Sequence, residues 1–440
     1  MTLTERLQHD AFQGYAYAYP HKMAYGPLQP PVPLETLWSE EDRDALFLYV
    51  HLPFCEMRCG FCNLFTTTGA KPDLVTDYLG ALERQMRVVG ASLDSHRFAR
   101  AAFGGGTPTF LSETELERLF AMTREHLGGF AGDIPISFEM SPGTVTETKL
   151  KLLREQGVTR ASIGVQSFLL EETKALGRPQ QREHVMKALT LMRNSGFRVL
   201  NIDLIYGIPD QTPQSWEFSL REALQFEPEE LFLYPLYVRP LTGLEKLHRE
   251  PSDLRLELFR RGRDFLLAQG YEQISMRLFR RKDLPAEQGD GPVYCCQEDG
   301  MVGFGAGARS YTKALHYSTE YAVGRSGVQE IIRGYIESPD SAFAVADYGC
   351  VLEEEEQRRR YVIKSLLRQQ GLDFRAYLDA YGADPLNDFP QLRELLDLDL
   401  ATLQGGHLIL TAGGMERSDT IGPWLFSSVM TERMEQFELV

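Results

Sequence analysis

The amino-acid sequence predicts an α/β protein built on an open, partial (β/α)6 barrel. Two observations support this prediction. Short apolar runs alternate with amphipathic helical patterns in the first half of the chain, which is typical of parallel strands joined by helical crossovers. The residues suited to chemistry follow the carboxyl ends of these runs, and that is the face of a parallel barrel that carries its active site. Six strand–helix units are fewer than the eight of a closed barrel.

The strands and helices are predicted in order along the chain. The apolar runs predicted as strands are 46–52, 98–104, 134–139, 160–165, 198–204 and 229–236. The amphipathic segments predicted as helices between them include 74–89, 114–125, 147–156 and 182–195. Beyond this barrel, residues 240–345 break into irregular segments, and no internal repeat other than the strand–helix unit is visible.

Three regions are predicted along the chain. Residues 1–45 are interpreted as an N-terminal extended arm, because they are too rich in proline for a helix and too rich in tyrosine for a free tail. The arm is predicted to pack over the barrel domain, and lining the active site is the alternative. Residues 46–345 form the barrel with its C-terminal extension. Residues 346–440 are predicted to form a small helical, winged-helix-like domain, in which 353–360 carries Glu–Arg pairs four residues apart, typical of an exposed helix.

Composition narrows the class of protein and its partners. The 440 residues are 43% hydrophobic and 25% charged, which is ordinary for a soluble enzyme. A net charge of −16 repels phosphate backbones, so no nucleic-acid partner is expected. No apolar run reaches the length of a membrane span, and residues 1–10 do not resemble a signal peptide. We therefore expect a cytoplasmic monomer that acts on a small molecule without a membrane partner.

One group of basic residues stands out against this acidic background. It is interpreted either as a solvated basic face or as a clamp for a carboxylate-bearing small molecule. Its members are Arg260, Arg261, Arg263, Arg277, Arg280, Arg281 and Lys282.

Three of the six cysteines lie on one loop just past the first predicted strand. Cys55, Cys59 and Cys62 are spaced as Cys-x3-Cys-x2-Cys. Three thiolates can hold a [4Fe-4S] cluster and leave one iron open to a substrate. A structural zinc site needs four ligands, and because His51 could be the fourth, zinc stays an alternative. A disulfide is disfavoured because nothing indicates an oxidising compartment.

This spacing, with Phe61 before the last cysteine, resembles the radical S-adenosylmethionine (SAM) superfamily. The flanking Tyr-Val-His-Leu-Pro-Phe-Cys narrows the resemblance to relatives of oxygen-independent coproporphyrinogen III oxidase. It continues through 104–109, 164–168, 176–178 and 203–209. The resemblance implies a [4Fe-4S] cluster held by the three cysteines, SAM as cofactor, and an external electron donor such as flavodoxin or ferredoxin.

Tyr49 and His51 are the predicted catalytic residues. They are two apart on one strand and therefore face the same side, which we expect to be the mouth of the cluster site. For His51 a hydrogen bond that orders the loop is an equal alternative. The resemblance also assigns Tyr49 and Phe61 to contacts with SAM.

The glycine loop after the second strand is the next predicted SAM contact. It exposes backbone N–H groups, but it lacks the Gly-Lys-Ser/Thr ending of a phosphate-binding loop. The resemblance assigns Gly105, Gly106 and Thr107 to the methionyl amino group of SAM.

Four polar residues at the ends of later strands complete the predicted SAM site. They offer carboxylates, an amide and a cation to the ribose hydroxyls, carboxylate and sulfonium of SAM. These residues are Glu139, Gln166, Arg178 and Asp203. Pro179 and Gln180 follow where the family usually has a histidine, so the substrate side differs.

The second half of the chain offers fewer signals. Residues 303–310 are glycine-rich and match a family loop near a second ligand, so Arg309 and Tyr237 are predicted to contact a second SAM. Cys295 and Cys296 are predicted to be buried, inert thiols. They lie where the heme-chaperone branch of the family has a His-Asn motif, and the absence of that motif argues against heme transfer.

The favoured functional prediction is an enzyme that uses a second SAM as one-carbon donor to methylate or cyclopropanate a natural product. It rests on a resemblance to class C methyltransferases and cyclopropane-forming relatives, including residues 417–426. The alternative is a coproporphyrinogen III-type oxidative decarboxylase, in which Leu64 stands where such oxidases typically have a fourth cysteine. A heme chaperone is the third possibility.

Overall fold

The computed structural model describes residues 2–16, 18–130, 134–284 and 294–438. The strands of these residues are β1 (Gly26–Pro33), β2 (Leu46–Leu52), β3 (Phe54–Cys55), β4 (Thr67–Thr68), β5 (Phe98–Gly105), β6 (Ile136–Met140), β7 (Arg160–Gln166), β8 (Val199–Tyr206), β9 (Glu230–Pro235), β10 (Tyr271–Gln273), β11 (Leu278–Arg281), β12 (Met301–Phe304), β13 (Arg309–Tyr311), β14 (Leu315–Ser318), β15 (Val345–Val351), β16 (Leu372–Asp373), β17 (Ala401–Gln404) and β18 (His407–Leu410).

The helices of the same residues lie mainly between and after these strands. They are α1 (Leu3–Leu7), α2 (Leu34–Ser39), α3 (Pro72–Leu93), α4 (Glu113–Leu127), α5 (Glu147–Glu155), α6 (Leu170–Ala175), α7 (Arg182–Asn194), α8 (Pro213–Leu224), α9 (Gly243–Lys246), α10 (Arg255–Ala268), α11 (Arg325–Glu337), α12 (Glu354–Leu366), α13 (Phe374–Tyr381), α14 (Pro385–Asp388), α15 (Arg393–Asp397), α16 (Ala412–Met415), α17 (Ser418–Trp424) and α18 (Ser428–Glu435). None of these helices is long and apolar enough to cross a bilayer.

The six predicted barrel strands are neighbours in one sheet. In the order β2-β5-β6-β7-β8-β9 every adjacent pair is parallel, and their helices cross over between them. This confirms the partial (β/α)6 barrel. Burial alternates along β2, where Leu46, Leu48 and Val50 are fully buried in the apolar core while Phe47 and Tyr49 are less buried. One face of the barrel sheet therefore packs in the core, and the other lines a polar lumen.

The prediction that residues 240–345 are irregular is wrong. They contribute β10–β14, which extend the barrel sheet on both sides to thirteen strands among the described residues. β12 runs parallel to β2, and β13, β14 and β15 follow in antiparallel order. Each of the strands β10–β14 has only three or four residues, which is too few for a repeating pattern to identify them from the sequence. We call β12–β15 together with β1 the extension.

The N-terminal arm contributes one strand, β1, to the extension. β1 pairs antiparallel with β15 at the edge of the sheet, where prolines are tolerated because one side of the strand needs no ladder partner. The arm also contacts the C-terminal helices: the Gly14 amide donates to the Asp419 carbonyl (3.0 Å), and Tyr19 donates its hydroxyl to Glu356. The predicted boundaries between arm, barrel and C-terminal domain stay predictions.

Candidate active site

The three cysteines lie on the loop after β2, each close to a polar side chain from a different segment. The Thr107 hydroxyl lies 3.7 Å from Cys55 Sγ, the Arg178 guanidinium 3.5 Å from Cys59 Sγ, and the Thr66 hydroxyl 3.9 Å from Cys62 Sγ. Donors of this kind stabilise negative charge on cluster sulfurs. The glycine loop after β5 and the Leu-Gly-Arg segment after α6 thus converge on the cysteine loop.

The donor set fits a [4Fe-4S] cluster better than zinc. No three His, Cys, Asp or Glu side chains of the described residues converge on the position of one metal ion. A cubane does not require such convergence, because each thiolate binds its own iron, whereas zinc requires four ligands around one point. Burial raises the pKa of Cys55 to about 12 and also raises the pKa of Cys62, so binding of iron must displace their protons.

Close backbone contacts hold the cysteine loop in place. Gly60 donates its amide to the Leu176 carbonyl (2.9 Å) and accepts from the Leu244 amide (2.8 Å). A Cβ on Gly60 would lie 2.8 Å from the Leu176 carbonyl oxygen, so only glycine fits there. The neighbouring Phe61 packs against a small apolar cluster that includes Leu176, Ile205 and Leu244. The contact of Phe61 with SAM stays a prediction.

His51 positions Tyr49. The His51 Nε2 lies 2.9 Å from the Phe65 carbonyl, which can only accept, so Nε2 carries the proton and Nδ1 accepts from the Tyr49 hydroxyl at 3.2 Å. Burial lowers the pKa of His51 to about 4, which keeps the ring neutral. Both ring nitrogens are therefore used, and His51 is not a zinc ligand. The geometry favours the loop-ordering role for His51 over direct catalysis.

The glycine loop packs directly on the cysteine loop. Gly105 has φ +104°, and a Cβ there would meet the His51 ring at 2.5 Å. The amides of Gly106 and Thr107 donate to the carbonyls of Leu52 and Phe54, both at 2.8 Å. Close packing against the cysteine loop therefore explains why glycines occur here, whether or not they bind SAM. The predicted contacts of Gly105, Gly106 and Thr107 with SAM stay predictions.

Charged side chains from three neighbouring strands meet in the lumen. Glu139 and Asp203 lie on the lumen face with Arg160 between them, and burial raises the pKa of both carboxyl groups. Arg178 donates to the Gly164 carbonyl (2.9 Å), and the Gln166 amide lies over the same glycine. The structure thus brings the four predicted residues near one another, and Arg178, which follows α6 rather than a strand, connects them to Cys59. This arrangement can bind a ligand that carries both a cation and a carboxylate, as SAM does.

Tyr237 and Arg309, the residues predicted to contact a second SAM, have different surroundings. The Tyr237 hydroxyl donates to Asp419 of α17. Arg309 lies opposite Gly303, which in turn lies opposite Tyr49 across the neighbouring strand, so all three share the lumen face. Their binding to a second SAM stays a prediction.

The basic residues singled out in the sequence do not form a clamp. Arg277 is buried and pairs with Asp419 at 2.6 Å. Arg260 and Arg263 pair with Glu416, and Arg281 pairs with Asp283. Two other basic residues, Lys22 and Arg239, lie near His21 and Arg309, and sequence reasoning missed them because they come from separate segments.

The second cysteine site is less buried than predicted. Cys295 and Cys296 are both partly exposed, and the Arg368 guanidinium lies 3.4 Å from Cys296 Sγ. The prediction of buried thiols is therefore wrong.

Comparison with known proteins agrees with this geometry. The sequence model of the radical SAM superfamily matches residues 49–223. The oxygen-independent coproporphyrinogen III oxidase of Salmonella typhimurium is 30% identical over 411 residues, covering 87% of this chain and 86% of the relative. The chain belongs to the oxygen-independent coproporphyrinogen III oxidase family. As a radical SAM protein it uses a [4Fe-4S] cluster and SAM.

Two further proteins are similar to this chain. The heme chaperone HemW of Bacillus subtilis is 31% identical over 269 residues, covering 60% of this chain and 70% of the relative. The structure of coproporphyrinogen III oxidase (HemN) from Escherichia coli, a radical SAM enzyme, superposes with a TM-score of 0.79 at 25% identity, covering 96% of this chain and 98% of that one.

The favoured functional prediction, a methyl-transferring or cyclopropane-forming enzyme, is wrong. The relatives that align with most of the chain at about 30% identity are oxidases of the coproporphyrinogen type. The expected closeness to class C methyltransferases has no support in these relatives, whereas the alternative functional prediction agrees with them.

Proposed function

We propose that this protein is a radical SAM oxidoreductase that decarboxylates a propionate-bearing tetrapyrrole of the coproporphyrinogen type. The observation that carries the proposal is the extent of the similarity to the oxidases, which reaches 87% of the chain. It therefore extends well beyond residues 49–223, which match the superfamily model.

The reaction balances as a two-electron oxidation. Conversion of a propionate side chain to a vinyl group removes one hydrogen atom and one electron and releases carbon dioxide. The bound cluster and SAM supply the carbon radical that takes the hydrogen atom. The remaining electron passes to an acceptor, and an external donor such as flavodoxin or ferredoxin reduces the cluster.

The residues of this chain prepare the site for that chemistry. Cys55, Cys59 and Cys62 would hold the cluster, and the charged group around Asp203 and Arg178 would bind SAM beside it. His51 fixes the Tyr49 hydroxyl at the lumen face. The barrel wall excludes water from the reacting groups, which protects a radical and favours one orientation of the substrate.

Leu64 does not weaken the proposal. It lies on the cysteine loop with 50% of its surface exposed. A cysteine at this position would not be needed as a ligand, because three thiolates already suffice for a cluster with one open iron.

The test is anaerobic turnover of the reconstituted protein with SAM, a reductant and coproporphyrinogen III. We expect carbon dioxide, a product lighter by one or two carboxyl groups, and 5′-deoxyadenosine without deuterium when the SAM methyl group is deuterated. Deuterium in 5′-deoxyadenosine, with S-adenosylhomocysteine formed alongside, would contradict the proposal. The Cys59→Ala variant is the matched control.

The similarity to HemW supports a second candidate, a heme-binding protein. Tight binding of heme without any porphyrinogen-dependent consumption of SAM would favour that candidate over the decarboxylase.

A further inference from the structure

Four basic side chains from three separate segments lie close together near the cysteine loop. They are His21 and Lys22 from the N-terminal arm, Arg239 from the segment after β9, and Arg309 from β13. We call them the lumen basic cluster. The charges of Lys22, Arg239 and Arg309 all act on the His21 ring, which shows that the four lie close together.

Lys22 lies next to the cysteine loop. Its ammonium is 3.3 Å from the centroid of the Tyr321 ring, and the Tyr321 hydroxyl donates to the carbonyl of Asn63, the residue after Cys62. A cation over an aromatic face is held in place electrostatically and keeps its other N–H groups for a ligand. The arm therefore carries a cation to within one side chain of the cluster ligands.

Arg239 approaches from the barrel side. Its guanidinium lies 4.3 Å from the centroid of the Tyr237 ring, whose hydroxyl is fixed by Asp419. Stacking on the ring orients the planar guanidinium and leaves its edge free to form two parallel hydrogen bonds with a carboxylate.

The cluster is positive in a protein of net charge −16. Within the described ranges, no carboxylate forms an ion pair with Lys22 or Arg239, whose aromatic partners carry no charge. His21 accepts from the Met23 amide through Nδ1 (3.3 Å), which orients its ring. Burial and the neighbouring Arg309 lower the pKa of Lys22 well below its usual value, so a bound carboxylate would stabilise the ammonium form of Lys22.

We propose that Lys22 and Arg239, together with Arg309, bind carboxylates of the substrate that are not lost in the reaction. This inference rests on the proposed function and extends it to the residues that select the substrate.

The reacting carboxylate is not the group that these cations should hold. It loses its negative charge as it leaves as carbon dioxide, so a cation on it would stabilise the starting state more than the transition state. A cation on a distant carboxylate stabilises both states equally and contributes binding and orientation. A tetrapyrrole with several propionates provides such distant carboxylates.

The test compares binding of two probes to the protein reconstituted with its cluster and SAM. Coproporphyrin III carries four carboxylates, and its tetramethyl ester carries none. We expect Lys22→Met and Arg239→Met each to weaken binding of the tetracarboxylate about tenfold or more, the effect of losing a charge-assisted hydrogen bond. Binding of the ester, iron content and SAM affinity should stay unchanged.

Two control variants separate charge from structure. Lys22→Arg keeps the cation and should retain tetracarboxylate binding. Lys187→Met makes the same Lys-to-Met change on the exposed face of α7 and should bind like the wild type. In turnover, KM should rise about tenfold in Lys22→Met while kcat changes little, because uniform binding is lost.

The outcomes distinguish this inference from the proposed function. Unchanged tetracarboxylate binding in both Met variants, or no binding by the wild type, would overturn the inference. If the Met variants instead bind SAM more weakly, the cations hold the carboxylate of SAM, and this result would also overturn the inference. If the wild type decarboxylates coproporphyrinogen III and KM is unchanged in the variants, the inference fails and the proposed function stands. If the Met variants weaken tetracarboxylate binding but the wild type does not decarboxylate coproporphyrinogen III, the inference stands and the proposed function fails.

Discussion

The barrel strands and the extension contribute to the same lumen in different ways. In the barrel, most site residues lie in short motifs at or near the carboxyl end of a strand, as Cys55, Gly105, Gln166 and Asp203 do, and Arg178 follows α6. In the extension and the arm, the site is assembled from single side chains far apart in sequence. The difference indicates that SAM activation is encoded locally, whereas substrate selection depends on long-range packing.

This division has a physical origin. Parallel strands bring their carboxyl ends to one edge of the sheet whatever the rest of the chain does, so strand-end motifs meet automatically. The strands of the extension are mostly antiparallel, so their carboxyl ends do not meet at one edge of the sheet. Its antiparallel order places Arg309 near the lumen only because β12 joins β2 and β13 turns back beside it.

The largest expected effect tests the local encoding. Replacing Cys59 by Ala should abolish iron binding and formation of 5′-deoxyadenosine, because two thiolates and an arginine cannot hold the cluster. Iron content and the visible absorption of the reconstituted protein measure this effect. The fold should persist, since Cys59 is a partly exposed loop residue. Full SAM cleavage by the triple alanine variant of the three cysteines would contradict the cluster assignment.

The second effect tests the long-range packing. Asp419→Ala leaves the buried Arg277 guanidinium without its carboxylate and Tyr237 without its acceptor, which should lower the free energy of unfolding by about 3–5 kcal/mol. The midpoint of urea denaturation measures the loss.

A double variant provides the control for Asp419. Arg277→Leu with Asp419→Leu removes both charges, so it should recover much of the stability that Asp419→Ala loses. If the double variant were as unstable as Asp419→Ala, shape rather than the unpaired charge would be the cause.

The sequence predicts the barrel better than the extension for the same reason. The runs at 46–52 and 160–165 match β2 and β7 to within one residue, because apolar runs of six or seven residues identify strands. The convergence on Cys59 was also predictable in part from strand-end position. Lys22 and Arg239 were not predictable, since neither belongs to a motif and their proximity depends on the path of the arm.

The third effect separates SAM binding from cluster binding. Asp203 accepts from Asn201 at 2.7 Å, whereas Arg178 lies beside both Cys59 and the Gly164 carbonyl. Asp203→Asn should weaken SAM binding by about 1–3 kcal/mol, roughly five- to 150-fold in Kd, with normal iron content. Arg178→Met should lower both iron content and SAM affinity. Loss of iron in Asp203→Asn would show a structural role instead.

The smallest effect compares one buried histidine from each part of the molecule. His51 in the barrel uses both ring nitrogens in hydrogen bonds, whereas neither nitrogen of His316 in β14 has a hydrogen-bond partner among the described residues. Burial and the cations Arg309, Arg360 and Lys364 lower the pKa of His316 well below its usual value, so the folded protein holds this ring neutral.

The pH dependence follows from that difference in pKa. Below about pH 6.5 the unfolded chain protonates His316 while the folded chain does not, so His316 lowers stability by up to about 1.4 kcal/mol per pH unit as the pH falls. In urea denaturation between pH 7 and pH 5, the stability of His316→Phe should fall less steeply than that of the wild type. His184→Phe, on the exposed face of α7, should follow the wild type. Parallel curves for the wild type and His316→Phe would mean that His316 takes up its proton in the folded state, and that the cations around it are balanced by an anion nearby.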